Sequence, residues 1–259
     1  TVKHLWQKYN AIGVVDGKKP MSYRQYCRCY SEWADSKQLT FHIQRYPGVN
    51  LELDYAGKQL YLHNRRNPEE TTKVTIFIAA LTYSDYFYAE GMTECDIRNW
   101  IRVNNNALAY FGGVTPTITP DNCKVAVARN KDWVSPVLNK DFQAWAEHNN
   151  TVLTPAKVKS PRWKPVVEGH VKIVTMHILM DMEDMVFYSL DDLNRVLMEK
   201  VDVENRKSFE GLTYSRYDLF ATEEKETLLP LPTNRFEYLE RKTVKVAQDF
   251  SFTFDKVHY

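Results

Sequence analysis

The sequence predicts an α/β fold in which a mixed five-stranded sheet carries helices on both faces. Two observations predict it. The hydrophobic period changes from helical to alternating near residue 49, and the segments that follow run strand, strand, strand, helix, strand, helix, strand, helix. A chain of 259 residues with 44% hydrophobic content has enough apolar surface to fill the core such a sheet needs.

The elements follow in order. A short helix over Val2 to Tyr9 precedes a loop from Gly13 to Pro20. Ser22 then caps a second helix, in which Tyr23, Tyr26, Cys27, Tyr30, Trp33 and Ala34 recur at helical spacing and Arg24, Gln25 and Arg28 fall on the outer face. The pair reads either as part of a helix-turn-helix or as an ordinary helical hairpin. Strands are expected at 49–56, at 58–62 as a short hairpin arm after Gly57, at 73–82 and at 86–91. A helix at 94–111 is closed by Gly112 and Gly113. A strand at 116–120, a helix at 138–149 and a strand at 151–155 come next.

A long helix then starts at Pro165, whose missing N–H suits a first helical position, and runs to about Asp181 on a stripe of Val167, Val171, Val174 and Ile178. Helices at 190–204 and 215–227 follow. An alternating stretch from Val244 to Val257, with Phe250, Phe252 and Phe254 on one face, reads as the opening hairpin of a small β module that is cut short. This order is that of the ribonuclease-H-like fold, although other three-layer sandwiches share parts of it. The chain is accordingly divided into a helical N-terminal segment (1–47), a catalytic core (48–210) and a C-terminal extension leading into the β module (211–259).

Composition narrows the function classes. Cys27, Cys29, Cys95 and Cys123 form no Cys-x-x-Cys pair, and the seven histidines do not cluster, so neither a disulfide framework nor a zinc site is implied. No apolar stretch is long enough to cross a membrane and no secretory signal opens the chain, so a cytoplasmic location is expected. The net charge of +1 is unevenly spread. Residues 1–47 carry eight Lys or Arg against three acids, and Lys157, Lys159, Arg162, Lys164 and Lys172 form a second run facing only Glu168. Basic runs of this kind neutralise phosphates, though most are simply solvated faces.

Three carboxylates stand out by their place in the element order. Asp54 ends the first strand, Asp121 follows the fourth, and Glu168 lies in the first turn of the long helix. Taken singly, each has a bland explanation. Asp54 alternates with Asn50 and Glu52 and fits the wet face of an edge strand; Asp121 in Thr-Pro-Asp-Asn fits a turn; Glu168 complements a helix dipole. Taken together, in a fold whose first and fourth strands are neighbours, they converge at one end of the sheet. Three oxygen ligands suit Mg²⁺ or Mn²⁺, and two such ions drive in-line displacement at phosphorus.

The segments Leu53-Asp54-Tyr55-Ala56-Gly57-Lys58, Tyr110-Phe111-Gly112-Gly113-Val114, Thr119-Pro120-Asp121-Asn122-Cys123-Lys124, Thr154-Pro155-Ala156, Val166-Val167-Glu168 and Tyr214-Ser215-Arg216 resemble the IstA-type transposases. These are Asp-Asp-Glu enzymes of the insertion-sequence family whose second gene encodes an ATPase helper, IstB. Leu228-Leu229-Pro230-Leu231-Pro232 resembles that family's segment after the core. The resemblance implies the catalytic and metal-binding triad Asp54, Asp121 and Glu168, two Mg²⁺ or Mn²⁺ ions, hydrolysis at transposon ends, and attack of the freed 3′-hydroxyl on target DNA. It further implies a homo-oligomer and an IstB-type partner.

Lys124, Arg162, Lys164, Lys172, Arg24 and Arg28 are candidate DNA contacts, with Asn122 and Trp163 beside them. Lys172 sits one turn beyond Glu168, where a phosphate contact and an i,i+4 pair with Glu168 are equally open. The family's usual Asp-Lys pair before the glutamate is replaced here by Ser-Pro-Arg-Trp-Lys-Pro. A non-catalytic DNA-binding scaffold and a nuclease without strand transfer are the alternatives.

Overall fold

A computed structural model describes the chain except residues 1, 16, 18, 37–43, 68, 121–126, 130–136, 156–164, 241–245, 247, 249, 255, 256 and 259. It divides into two units, Thr1–Gln44 and Arg45–Tyr259.

The first unit is a hairpin of helices, α1 (Val2–Val15) and α2 (Tyr23–Ser36). Trp6 meets Tyr23 edge-on at 5.4 Å and Tyr9 meets Tyr26 at 5.3 Å, so the aromatic stripe of α2 is matched from α1. The sequence predicts α1 only to Tyr9, yet it continues through Gly13. Tertiary bonds override the glycine. The Asn10 side chain accepts from the Met21 N–H at 2.9 Å and donates to the Met21 carbonyl at 3.0 Å, while the Trp6 indole donates to that carbonyl at 2.7 Å.

In the second unit the strands are β1 (Asn50–Tyr55), β2 (Leu60–His63), β3 (Thr71–Leu81), β4 (Phe87–Met92), β5 (Thr117–Thr119), a short pair β6 (Val127–Arg129) and β7 (Val137–Leu138), and β8 (Val152–Leu153). β1 and β2 lie end to end along one edge of β3, Leu51 opposite Leu81 and Leu60 opposite Val74, with β4 on the other edge of β3. β5 runs parallel to β1 and β8 parallel to β5. β1 is therefore a central strand, paired on both edges at Leu51 and Glu52.

Alternation divides the core in two. Leu51, Leu53, Phe77, Ala79 and Leu81 face α3 (Ile97–Phe111) and α4 (Lys140–His148), where Trp100, Phe111, Phe142 and Trp145 are buried. Ile76, Ile78 and Ala80 face α5 (Pro165–Ile173) and α6 (Leu190–Arg206) through Val167, Val174, Leu193 and Leu197. The architecture is a mixed sheet with helices on both faces, as predicted, but β2 joins as a sixth strand beyond the five expected. The two glycines closing α3 do different things. Gly112 takes the left-handed cap conformation at φ 73°. Gly113 has no room for a side chain, because a Cβ there would lie 2.5 Å from that of Leu228.

Three expectations need correction. The long helix is α-helical only to Ile173, and Val174–Leu179 follows as a π-helical turn in which Met180 N–H reaches Thr175 O at 3.2 Å. That turn moves the helix phase by one residue, so Leu179 and Met182 join Val174 and Ile178 in the core. The predicted helix at 215–227 is three short pieces, α7 (Arg216–Leu219), a π turn Phe220–Glu224 and a 3₁₀ turn Lys225–Thr227. At the C-terminal end, β9 (Thr253–Phe254) pairs antiparallel with β10 (Val257–His258). Phe250, at φ 64° and 88% exposed, does not share a strand face with them.

Candidate active site

The site grows from β1. Asn50, Glu52 and Asp54 point to the α5 side, since Glu52 is registered with Ala80 and Asp54 with Ile78. Glu52 is 4% exposed, a carboxylate in the middle of a sheet, and Asp54 is half-buried one pleat further on. The Asp54 carboxylate accepts the Tyr55 N–H at 2.7 Å. The side-chain oxygen of Asn50 accepts from the hydroxyls of Thr117 at 3.0 Å and Thr119 at 3.1 Å, which ties the N-terminal end of β1 to β5.

α5 lies across β1 and β3. Val166 and Val167 are buried under it, and the Val167 N–H donates to Glu52 Oε2 at 2.9 Å. One turn later the His170 imidazole is enclosed between two carbonyls, Nδ1 2.8 Å from Val166 O and Nε2 2.7 Å from Asp85 O, with the Phe87 ring at 4.9 Å. Burial holds its pKa below the ordinary value, against the pull of Asp85 and of both carbonyls. Pinned at these two points, α5 presents Glu168 and Lys172 to solvent.

Among the described residues no ion pair joins Glu168 to Lys172. The ammonium of Lys58, four residues beyond Asp54, reaches Glu183 at 2.6 Å. Arg24 and Arg28 are exposed on α2, and Arg28 is 3.7 Å from Glu32. Asp121, Asn122, Lys124, Arg162, Trp163 and Lys164 lie outside the described residues. Asp121 follows Pro120, which is buried, and Thr119, the residue of β5 registered with Glu52.

Among the described residues no group of three or more His, Cys, Asp or Glu side chains gathers as a metal site, and no helix is long and apolar enough to cross a membrane. Asp54 and Glu168 supply hard oxygen donors of the kind Mg²⁺ and Mn²⁺ take, and the third candidate is Asp121. Sequence reasoning missed Glu52. The one signal for it was a carboxylate alternating with Asp54 between the apolar Leu51 and Leu53.

No family model matches the chain. A Sinorhizobium fredii protein named as a transposase is 32% identical to it over all 259 residues, and the transposase of insertion sequence IS408 from Burkholderia multivorans is 30% identical over 250 residues, 96% of the chain. The chain is similar throughout to insertion-sequence transposases. It spans about half the length of these relatives, 49% and 48%. Among solved structures, a chain of the simian T-cell lymphotropic virus intasome superimposes with a TM-score of 0.52 at 16% identity, covering 77% of this chain and 63% of that one. At that identity the likeness concerns fold, and it agrees with the ribonuclease-H-like order of β4, β3, β1, β5 and β8 across the sheet.

Proposed function

We propose that the chain is the catalytic core of an IstA-type DNA transposase, hydrolysing DNA at the ends of its insertion sequence and joining the freed 3′-hydroxyl to target DNA. Asp54, Asp121 and Glu168 are its metal-binding and catalytic carboxylates. The observation that carries this reading is the docking of the first turn of α5 on β1, through Val167 and Glu52, in a chain similar over its length to transposases. Asp121 follows Thr119 by the two residues by which Asp54 follows its registered partner Glu52.

Two Mg²⁺ or Mn²⁺ ions bound there supply activation of the attacking oxygen and neutralise charge on the leaving oxygen. The chain's own residues hold that arrangement and meet the DNA. The carboxylates orient the reacting centre, and Lys172, one turn beyond Glu168 and unpaired with it, neutralises a phosphate. Lys124, Arg162 and Lys164 flank the same elements in sequence, and Arg24 and Arg28 offer charge from α2. Two DNA ends have to be handled together, so the working form is a homo-oligomer, with an IstB-type ATPase as helper.

The test compares the protein with Asp54→Asn, Asp121→Asn and Glu168→Gln on labelled duplex carrying the element's ends, in Mn²⁺. Each variant is expected to lose cleavage by at least about a hundredfold while remaining folded. Cleavage by all three at the unsubstituted rate ends the proposal.

A further inference from the structure

Glu52 has a role that rests on the metal-site reading above and deepens it. We infer that Glu52 is a positioning residue for Glu168: its carboxylate, buried in the central strand, accepts a backbone N–H of the first turn of α5 and fixes the turn that carries Glu168 beside the strand that carries Asp54.

Helix chemistry makes the need specific. The first N–H groups of a helix have no partner within it, and a Ser, Thr, Asp or Asn just before the first turn ordinarily accepts one. Here the residue before Pro165 is Lys164, whose side chain has three donors and no acceptor. Pro165 itself has no N–H to satisfy. The Val167 N–H, at the third helical position, is buried and donates instead to Glu52 Oε2, 115 residues earlier, at 2.9 Å. An unsatisfied buried donor costs about 1–3 kcal/mol, and a bond to a carboxylate is stronger than one to a neutral acceptor. The helix dipole adds to the attraction.

A cap supplied by the strand has a geometric result. The bond joins the residue adjacent to Glu168 to the residue two before Asp54, a separation of about 7 Å along a strand. The spacing between these two carboxylates is thereby constrained by a hydrogen bond inside the core. His170, held by Asp85 O at 2.7 Å, secures the same buried face one turn further on. A residue that orients a metal ligand in this way typically affects metal affinity by 10–100-fold when it is removed.

The experiment titrates Mn²⁺ into the 259-residue protein by calorimetry and follows amide hydrogen exchange at Val167 and Glu168, for Glu52→Gln and Glu52→Leu. Glu52→Gln retains an acceptor oxygen, so Val167 protection and Mn²⁺ affinity are expected to stay within about threefold. Glu52→Leu keeps the volume without an acceptor. Exchange at Val167 is expected to speed up at least tenfold and Mn²⁺ affinity to fall at least tenfold. Faster exchange with unchanged Mn²⁺ affinity makes Glu52 merely structural and overturns the inference.

If Glu52→Leu does not fold, Glu52→Gln decides alone: a tenfold loss of Mn²⁺ affinity with Val167 still protected shows that Glu52 acts by charge, and also overturns it. Asp54→Asn and Glu168→Gln run in the same titration. Should these leave Mn²⁺ binding unchanged, or should the unsubstituted protein bind none, the carboxylate site itself fails. Should they abolish binding while Glu52→Leu does not, the positioning role alone fails.

Discussion

The carboxylate of Glu224 accepts the backbone N–H of Gly48 at 3.0 Å, joining the π turn that follows α7 to the residue two before β1. Its second oxygen accepts the Ser84 N–H at 3.1 Å, and Glu224 is fully buried. One side chain thus holds the segment after α6 against both the entry to the central strand and the turn between β3 and β4.

That burial gives a pH signature. Desolvation raises the pKa of Glu224 above the usual carboxylate value, Asp85 pushes the same way, and the Ser84 and Gly48 donors oppose them. The folded chain therefore holds this proton more tightly than the unfolded chain does. The group's contribution is fully present below the unfolded pKa and is lost as pH rises through the raised folded value. Glu224→Gln never ionises but satisfies only one of the two N–H donors, at about 1–3 kcal/mol. Its melting temperature is expected to lie below that of the unsubstituted protein at pH 4.5, with the gap narrowing by pH 7.5. A gap that widens with pH, measured by thermal denaturation across that range, contradicts the assignment.

Gly48 is required for two separable reasons. Its φ is 69°, and a Cβ there would lie 2.2 Å from Thr227 Oγ1 and 3.1 Å from the Thr227 carbonyl carbon. Gly48→Ala is expected to cost about 2–3 kcal/mol, combining left-handed strain of about 1–2 kcal/mol with the clash. Thr227→Ala removes the hydroxyl, so in that background the same substitution is expected to cost about 1 kcal/mol less. A double-mutant cycle by denaturant unfolding measures the difference. Additive costs exclude the clash.

How far the sequence reaches is shown by these same residues. Alternation and punctuation located β1, β3, α3 closed at Gly112 and α5 opened at Pro165, because each signal is local. Glu52 read as a wet-face residue because a period of two states only that it faces away from Leu51 and Leu53. What covers that face is decided by α5, more than a hundred residues later, and by the parallel pairing of β1 with β5. Glu224 was invisible for the same reason, its partners being Gly48 and Ser84. The π turn after Ile173 escaped because Val174 and Ile178 fit an α-helical stripe equally well, and only the burial of Leu179 and Met182 reveals the change of phase. Of the proposed site, the sequence supplied three carboxylates and their order. It did not supply the bond that holds one element against another.

Lys172 offers a test of the proposed DNA contact that needs no knowledge of any end sequence. It is exposed on α5 one turn beyond Glu168, and among the described residues no ion pair ties it to that carboxylate, so its charge is available to a phosphate. A lysine that neutralises one phosphate releases about one condensed counterion, and its loss lowers the salt dependence of binding by a slope of about 0.9. Lys172→Gln is therefore expected to weaken binding to a non-specific duplex at low salt, with the two affinities converging as salt is raised. Removing an exposed charge from a helix surface leaves stability within about 0.5 kcal/mol, so the melting temperature serves as the control. Fluorescence anisotropy between 50 and 200 mM salt reads the slope directly. An unchanged slope with an unchanged melting temperature takes Lys172 off the DNA path.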